Sequence, residues 1–432
     1  MTERLLRGRV LSFRREPAGP ADIDALDWHE DGAVHLRGGH IVAMGDFATL
    51  AAKAPDVPVT DHRPHLITAG FIDAHLHFPQ GQIVASWGAQ LLDWLNGYTF
   101  PAETRFADPD HAERMAVAFF DLLLRNGTTT ASAFCSVHPV SVDAYFSEAE
   151  RRGLRMLGGK VLMDRNAPQG LLDTPQTAHD DSAALIRRWH GRGRALYAIS
   201  PRFAITSTPA QMEAAQALIA AHPDCHVQTH LSENRAEIDL ACALYPEADG
   251  YLDIYARYGM LGPKALLGHA IHLSDRERAI IAETGAHPVH CPTSNLFLGS
   301  GLFDEAALKA AGATSGIATD IGAGMSWSML RTGGAAYAIA QLQGRALDPL
   351  RAFWWITRGN AEVLGLADRI GTLEPGTEAD LVVLDSRATP ELALRMQAAR
   401  DLKDELFALL ILGDDRAVVE TYAAGSPVKP RT

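Results

Sequence analysis

A chain of 432 residues, 47% hydrophobic and 21% charged, carries enough apolar side chain to bury a large core. Its formal net charge of −13 argues against phosphate-backbone binding, so nucleic acid is not an expected partner. No apolar run of about 18 residues is present and Met1-Thr2-Glu3-Arg4 reads as no signal peptide, so neither a membrane span nor secretion is expected.

The first 68 residues look β-rich, with Gly32 to Gly45 reading as strand, turn and strand. From Gly70 the pattern changes to short apolar strands alternating with amphipathic helices. Candidate strands fall at 70–77, 128–135, 155–163, 195–201, 226–231, 265–270, 287–291 and 316–320. The helices between them carry starts and stops. Asn126-Gly127 ends the apolar run that contains Val117, Phe119, Phe120, Leu122, Leu123 and Leu124. Thr208-Pro209-Ala210-Gln211 supplies a cap and a first-turn proline, and Ser274-Asp275-Arg276-Glu277 is a capping box. Near the far end, Gly371 to Asp385 matches the β-rich opening. Small strand pairs are marginal alone, so the two ends are expected to combine. The fold class that follows is α/β: a (β/α)8 TIM-type barrel over 69–365, with a small β-sandwich built from 1–68 plus 366–432. Cys135, Cys225, Cys242 and Cys291 show no Cys-x-x-Cys spacing, so no disulfide framework or thiolate zinc site is expected and a reducing cytoplasm fits.

In such barrels the chemistry sits at the C-terminal ends of the strands, and there the polar residues collect. His75 and His77 close the first strand. Side chains at i and i+2 share a face, about 7 Å apart along the backbone, which suits two ligands of zinc. His230 ends the fifth strand, His269 the sixth and Asp320 the eighth. Taken singly, each is explained as a buried histidine or a cap. Together, three of these imidazoles with the carboxylate match zinc's preference and leave a position for water. Glu233 lies three residues past His230, at a strand-to-loop corner, a position that could keep it in the site without ligating zinc. The His-x-Glu and Pro-Cys-x-x-Cys pattern of nucleic-acid-editing deaminases is absent.

These residues resemble the amidohydrolase superfamily, and the runs around them resemble its guanine deaminase family. The runs are Gly70 to Gln80, Thr99-Phe100-Pro101-Ala102-Glu103, Ser200-Pro201-Arg202-Phe203, His230-Leu231-Ser232-Glu233-Asn234, Gly268 to Ser274, Cys291 to Leu296 and Thr319-Asp320. Matching pieces extend from about residue 30 to 385. The resemblance implies zinc-dependent hydrolytic deamination of guanine to xanthine and ammonia, in the cytoplasm, by a homodimer. His75, His77, His230 and Asp320 would hold one Zn2+, with Glu233 as proton shuttle and His269 orienting the metal-bound hydroxide. Asp320 would accept the proton of the attacking water, and Glu233 would protonate N3 of the ring and then the leaving amine. Gln80, Arg202 and Phe203 would contact the purine beside His77, His230, Glu233 and Asp320. Two-metal relatives carry a bridging lysine at the end of strand four. Here the only lysine between Lys53 and Lys264 is Lys160, in strand three, so one zinc is expected. Trp87, Trp94 and Trp327 are candidate pocket walls. Ala69, His290, Met325 and Trp327 depart from the family pattern, and a related deaminase or chlorohydrolase acting on a pterin, a triazine or another purine stays open as the alternative.

Overall fold

The computed structural model describes residues 3–88 and 90–431. Eight parallel segments follow one another in space in chain order. They are Phe71–His77, Thr128–Phe134, Arg155–Gly159, Ala195–Pro201, His226–Leu231, Ala265–His269, His287–His290 and Gly316–Ile317. The first three are buried along their whole length, as expected for strands covered on both faces. The expected third strand is broken at Lys160. Its continuation, Val161–Leu162, pairs separately with the fourth strand, and the Lys160 ammonium is tied to the Asp173 carboxylate.

The eighth strand is short, so the barrel closes by other means. Asp320 N–H donates to His75 O at 3.0 Å and His77 N–H to Ile321 O at 2.6 Å. The Asn360 amide donates to Ile72 O at 2.6 Å and Ile317 O at 2.7 Å, and accepts from Ile317 N–H at 2.9 Å. The Asp73 carboxylate accepts the backbone N–H and the hydroxyl of Thr319. One side chain and one carboxylate therefore lock the first strand to the eighth, beside the residues that end both. The helix starts form as read: the Thr208 hydroxyl accepts from Gln211 N–H, and Ser274 and Glu277 cap each other's backbone.

The two ends of the chain build one unit. Glu3–Phe13, Leu26–Arg37, His40–Asp46 and Val59–Ala69 join Leu381–Leu384, Val418–Ala423 and Ser426–Pro427 in one hydrogen-bonded path of seven strands. Leu381–Leu384 lies between Val59–Ala69 and Val418–Ala423, so neither end completes the sheet alone. The strand pair expected within 371–385 reduces to Leu381–Leu384. Gly371 and Gly376 hold positive φ and Pro375 lacks an N–H, which makes this stretch a series of turns. Two helices, Pro390–Met396 and Leu402–Leu412, also sit in this segment. Leu406, Leu409 and Leu410 of the second pack in one apolar cluster with Met329, Leu330 and Phe353. Gly70 N–H bonds Asp380 O at 2.9 Å, anchoring the sheet where the barrel begins.

Candidate active site

His75, His77, His230 and His269 lie in the last three residues of barrel strands, Asp320 lies three residues past the eighth strand, and all are buried. Folding brings them together. His77 Nε2 lies 3.1 Å from His230 Nε2, and Asp320 Oδ1 lies 3.5 Å from His75 Nε2 and 3.4 Å from His77 Nε2. Burial pushes the His75 ring below the ordinary value, His77 to about 4 and His230 well below it, so each imidazole stays neutral with a free lone pair. Burial alone would raise the Asp320 carboxyl. The His75 and His77 rings outweigh it and hold Asp320 well below the usual carboxylate range.

Two histidine tautomers are fixed from outside the cluster. His230 Nδ1 donates to Arg202 O at 2.7 Å and His269 Nδ1 to Asn295 Oδ1 at 2.9 Å, which turns both Nε2 lone pairs inward. His75 Nδ1 and Nε2 and His77 Nδ1 are buried without a hydrogen-bond partner among the described residues. Three neutral imidazoles and one anionic carboxylate make a donor set that fits a divalent zinc. Cys291, close to His75, His269 and Asp320, is a different matter: burial pushes its thiol well up, so it offers no thiolate.

The backbone is shaped for this convergence. Ser232, His269, Ala270 and Asp320 are non-glycine residues with φ between +47° and +66°, all at strand ends around the cluster. Gly268 has the opposite constraint. A Cβ there would stand 2.5 Å from His75 Cε1, so the sixth strand must lack a side chain where the His75 ring passes.

Glu233 does reach the site. Its Oε1 accepts from Ser300 Oγ at 2.8 Å, and its Oε2 lies 3.4 Å from His269 Nε2. Burial, with Asp320 nearby, pushes its carboxyl up to about 8. Its backbone N–H and that of Asn234 bond Glu237 Oε2 at 2.9 and 3.1 Å, and the Tyr251 hydroxyl donates to Glu237 Oε1 at 2.7 Å. The loop that carries Glu233 is thereby fixed.

A cavity opens against these groups. Gln80, Arg202 and Phe203 form its other polar and aromatic side, with Leu91, Trp94, Leu95, Leu298 and Ala323 closing it. Of the three tryptophans named from the sequence, only Trp94 lines it. Trp87 is 78% exposed, and Trp327 packs edge-on against Phe119 at 5.5 Å on the barrel flank. His290 stacks on Phe303 at 4.6 Å and Met325 is half exposed, so neither departure faces the cavity. Sequence reading gave no role to Glu103, Asn295, Ser300 or Glu237. Glu103 and Asn295 sit inside the quoted runs, but a side chain's partner many residues away leaves no local pattern.

Residues 66–428 match the Amidohydrolase family. The guanine deaminase of Escherichia coli (strain K12) is 45% identical over 432 residues, which is 100% of this chain and 98% of that protein. The chain belongs to the guanine deaminase family of amidohydrolases. A solved structure of E. coli guanine deaminase matches it with a TM-score of 0.97 at 45% identity, covering 99% of this chain and all of that one. Another, from C. acetobutylicum with guanine bound in the active site, matches with a TM-score of 0.89 at 27% identity, again covering 99% and 100%. Among the described residues no helix is long and apolar enough to cross a membrane.

Proposed function

We propose that this protein hydrolyses guanine to xanthine and ammonia in the cavity bounded by His77, Glu233, Arg202 and Phe203. The reading is carried by one observation: a metal-type donor set, a carboxylic acid pushed to about 8 and two amide-reading side chains line the same buried space. The 45% identity to a guanine deaminase along the full chain supports it.

His75, His77, His230 and Asp320 would hold one zinc; their unpartnered ring nitrogens fit such an ion. When bound, zinc lowers the pKa of water from 15.7 to about 7 and so supplies a nucleophile at neutral pH. Asp320, anionic in its surroundings, accepts a proton from the attacking water at its carboxylate. His269 Nε2 presents a lone pair to that water because its Nδ1 proton is committed to Asn295. Glu233 carries a proton at neutral pH and gives it to N3 as oxygen adds at C2. Left as a carboxylate, Glu233 takes the remaining proton from the hydroxyl added at C2 and passes it to the exocyclic amine as the C2–N bond breaks, leaving C2=O and ammonia. The proton held by Asp320 then restores the Glu233 acid. Gln80 both donates and accepts, as the N1–H and O6 edge requires, Arg202 offers its fork of donors, and Phe203 a stacking face. Leu91, Trp94, Leu95 and Leu298 exclude bulk water.

A single ion is favoured because strand four carries no lysine and Lys160 is engaged by Asp173. A homodimer, a cytoplasmic location and the division into 69–365 and the joined termini extend the same reading; the four free cysteines agree with a reducing compartment.

The test is ammonia release by metal-quantified protein across guanine, other purines, pterins and triazines. Guanine should dominate, and Glu233→Gln should keep zinc yet lose most of the turnover. A pterin or triazine turned over faster than guanine refutes the substrate. Glu233→Gln turnover within a few-fold of the parent removes Glu233 from the mechanism.

A further inference from the structure

Glu103 lies in the short helix Phe100–Thr104, fully buried, and its carboxylate hydrogen-bonds Gln80 and Arg202 rather than the metal-type donors. Its carboxylate is a hub for two other cavity residues. Oε1 accepts from Gln80 Nε2 at 2.8 Å and from Arg202 Nη1 at 2.8 Å, and Oε2 accepts from the same Nη1 at 2.8 Å. The far end of the Gln80 amide is held as well, Oε1 accepting the Gly322 N–H at 3.2 Å. The Ser136 hydroxyl donates to Glu103 O at 3.2 Å and fixes the helix turn behind the carboxylate.

Two consequences follow from that geometry. First, the amide orientation of Gln80 and the plane of the Arg202 guanidinium are both set by one carboxylate. Second, the Arg202 and Glu103 side chains are 3% and 1% exposed, so their charges balance each other out of reach of water. A buried guanidinium facing a cavity alone would select anions. Paired with Glu103, its Nη1 is committed and its remaining donors face a ligand with little net charge behind them.

We propose that Glu103 is a positioning residue that sets the charge preference of the cavity. It orients Gln80 and Arg202 and cancels the guanidinium's charge, so the site takes a neutral amidine ring and disfavours an anionic one. This rests on the reading that the cavity binds a purine. It gives the pair a second effect: the dioxopurine product ionises more readily than guanine, and a neutral pair does not retain it as the anion.

Glu103→Gln removes the charge at nearly constant shape, and Glu103→Asp keeps the charge. With zinc-loaded enzyme at one neutral pH, inhibition of guanine turnover is measured for urate, a monoanion, and hypoxanthine, which is neutral. Glu103→Gln should raise KM for guanine and shift the ratio of the two inhibition constants toward urate by about tenfold or more. Glu103→Asp should keep the parent ratio. The double variant Glu103→Gln, Arg202→Gln buries no unpaired charge, which secures the test should the single variant fold poorly; its ratio should return toward the parent value. A ratio unmoved within about twofold in folded, metal-replete Glu103→Gln overturns the proposal, as does a double variant that favours urate. A parent protein that neither deaminates guanine nor binds these purines removes the functional reading and this inference with it. A parent that deaminates guanine while the ratio stays fixed refutes the inference alone.

Discussion

Replacing Ser300 with alanine isolates the protonation state of Glu233. The Ser300 hydroxyl donates to Glu233 Oε1 at 2.8 Å inside a buried site, so it favours the ionised carboxylate and opposes the burial that pushes this group to about 8. Removing it leaves burial and the Asp320 charge less opposed, and the carboxyl must rise. A hydrogen bond to a charged acceptor contributes about 1.5–3 kcal/mol, of which the neutral acid recovers part, and one pH unit corresponds to about 1.4 kcal/mol. The expected displacement is therefore about one pH unit upward. Glu233 acts as the protonated acid, so kcat/KM is high below its pKa and falls as pH rises through it. In Ser300→Ala that fall should come at higher pH, with a lower plateau because the carboxyl is less well oriented. Steady-state guanine turnover from pH 6 to 10, followed by ultraviolet absorbance at constant metal content, reads both. An alkaline limb that stays in place or moves to lower pH would refute the assignment of Glu233 as the acid.

Gly268→Ala places a methyl 2.5 Å from His75 Cε1, and overpacking of this kind costs about 1–3 kcal/mol; purified protein should carry markedly less metal, and unchanged metal content would contradict the placement of His75. Asn360→Ala removes three of the hydrogen bonds that tie the first strand to the eighth and should lower unfolding free energy by about 2–4 kcal/mol in urea titration; a loss below about 1 kcal/mol would mean the remaining bonds close the barrel without it. Asn295→Ala frees the His269 ring and should lower kcat about 10–100-fold with little change in KM, and a change confined to KM would place His269 in substrate binding instead.

The barrel and its rim were legible because both follow local rules. Apolar strands bounded by caps mark the strand ends, and a closed barrel brings those ends together whatever their separation in sequence. His75, His77, His230, His269 and Asp320 were named for that reason, and Glu233 from its place three residues past His230 together with the family resemblance. The terminal sheet was legible only in outline, since Leu381–Leu384 is a strand by virtue of its neighbours and the turns before it carry the same glycines as a hairpin. Trp87 and Trp327 show the other limit. An aromatic residue near a rim has no sequence signal that separates a cavity wall from a flank contact or an exposed loop. Glu103 is the clearest loss: its partners lie 23 and 99 residues away, and nothing in a five-residue helix announces a buried carboxylate.

The most direct measurement is metal stoichiometry by elemental analysis on zinc-reconstituted protein, paired with the His230→Ala and Asp320→Asn variants. One zinc per chain in the parent, reduced occupancy in both variants and turnover that tracks occupancy is the result expected if these side chains share one ion. Full occupancy in both variants, or guanine turnover by protein stripped of metal, would contradict it.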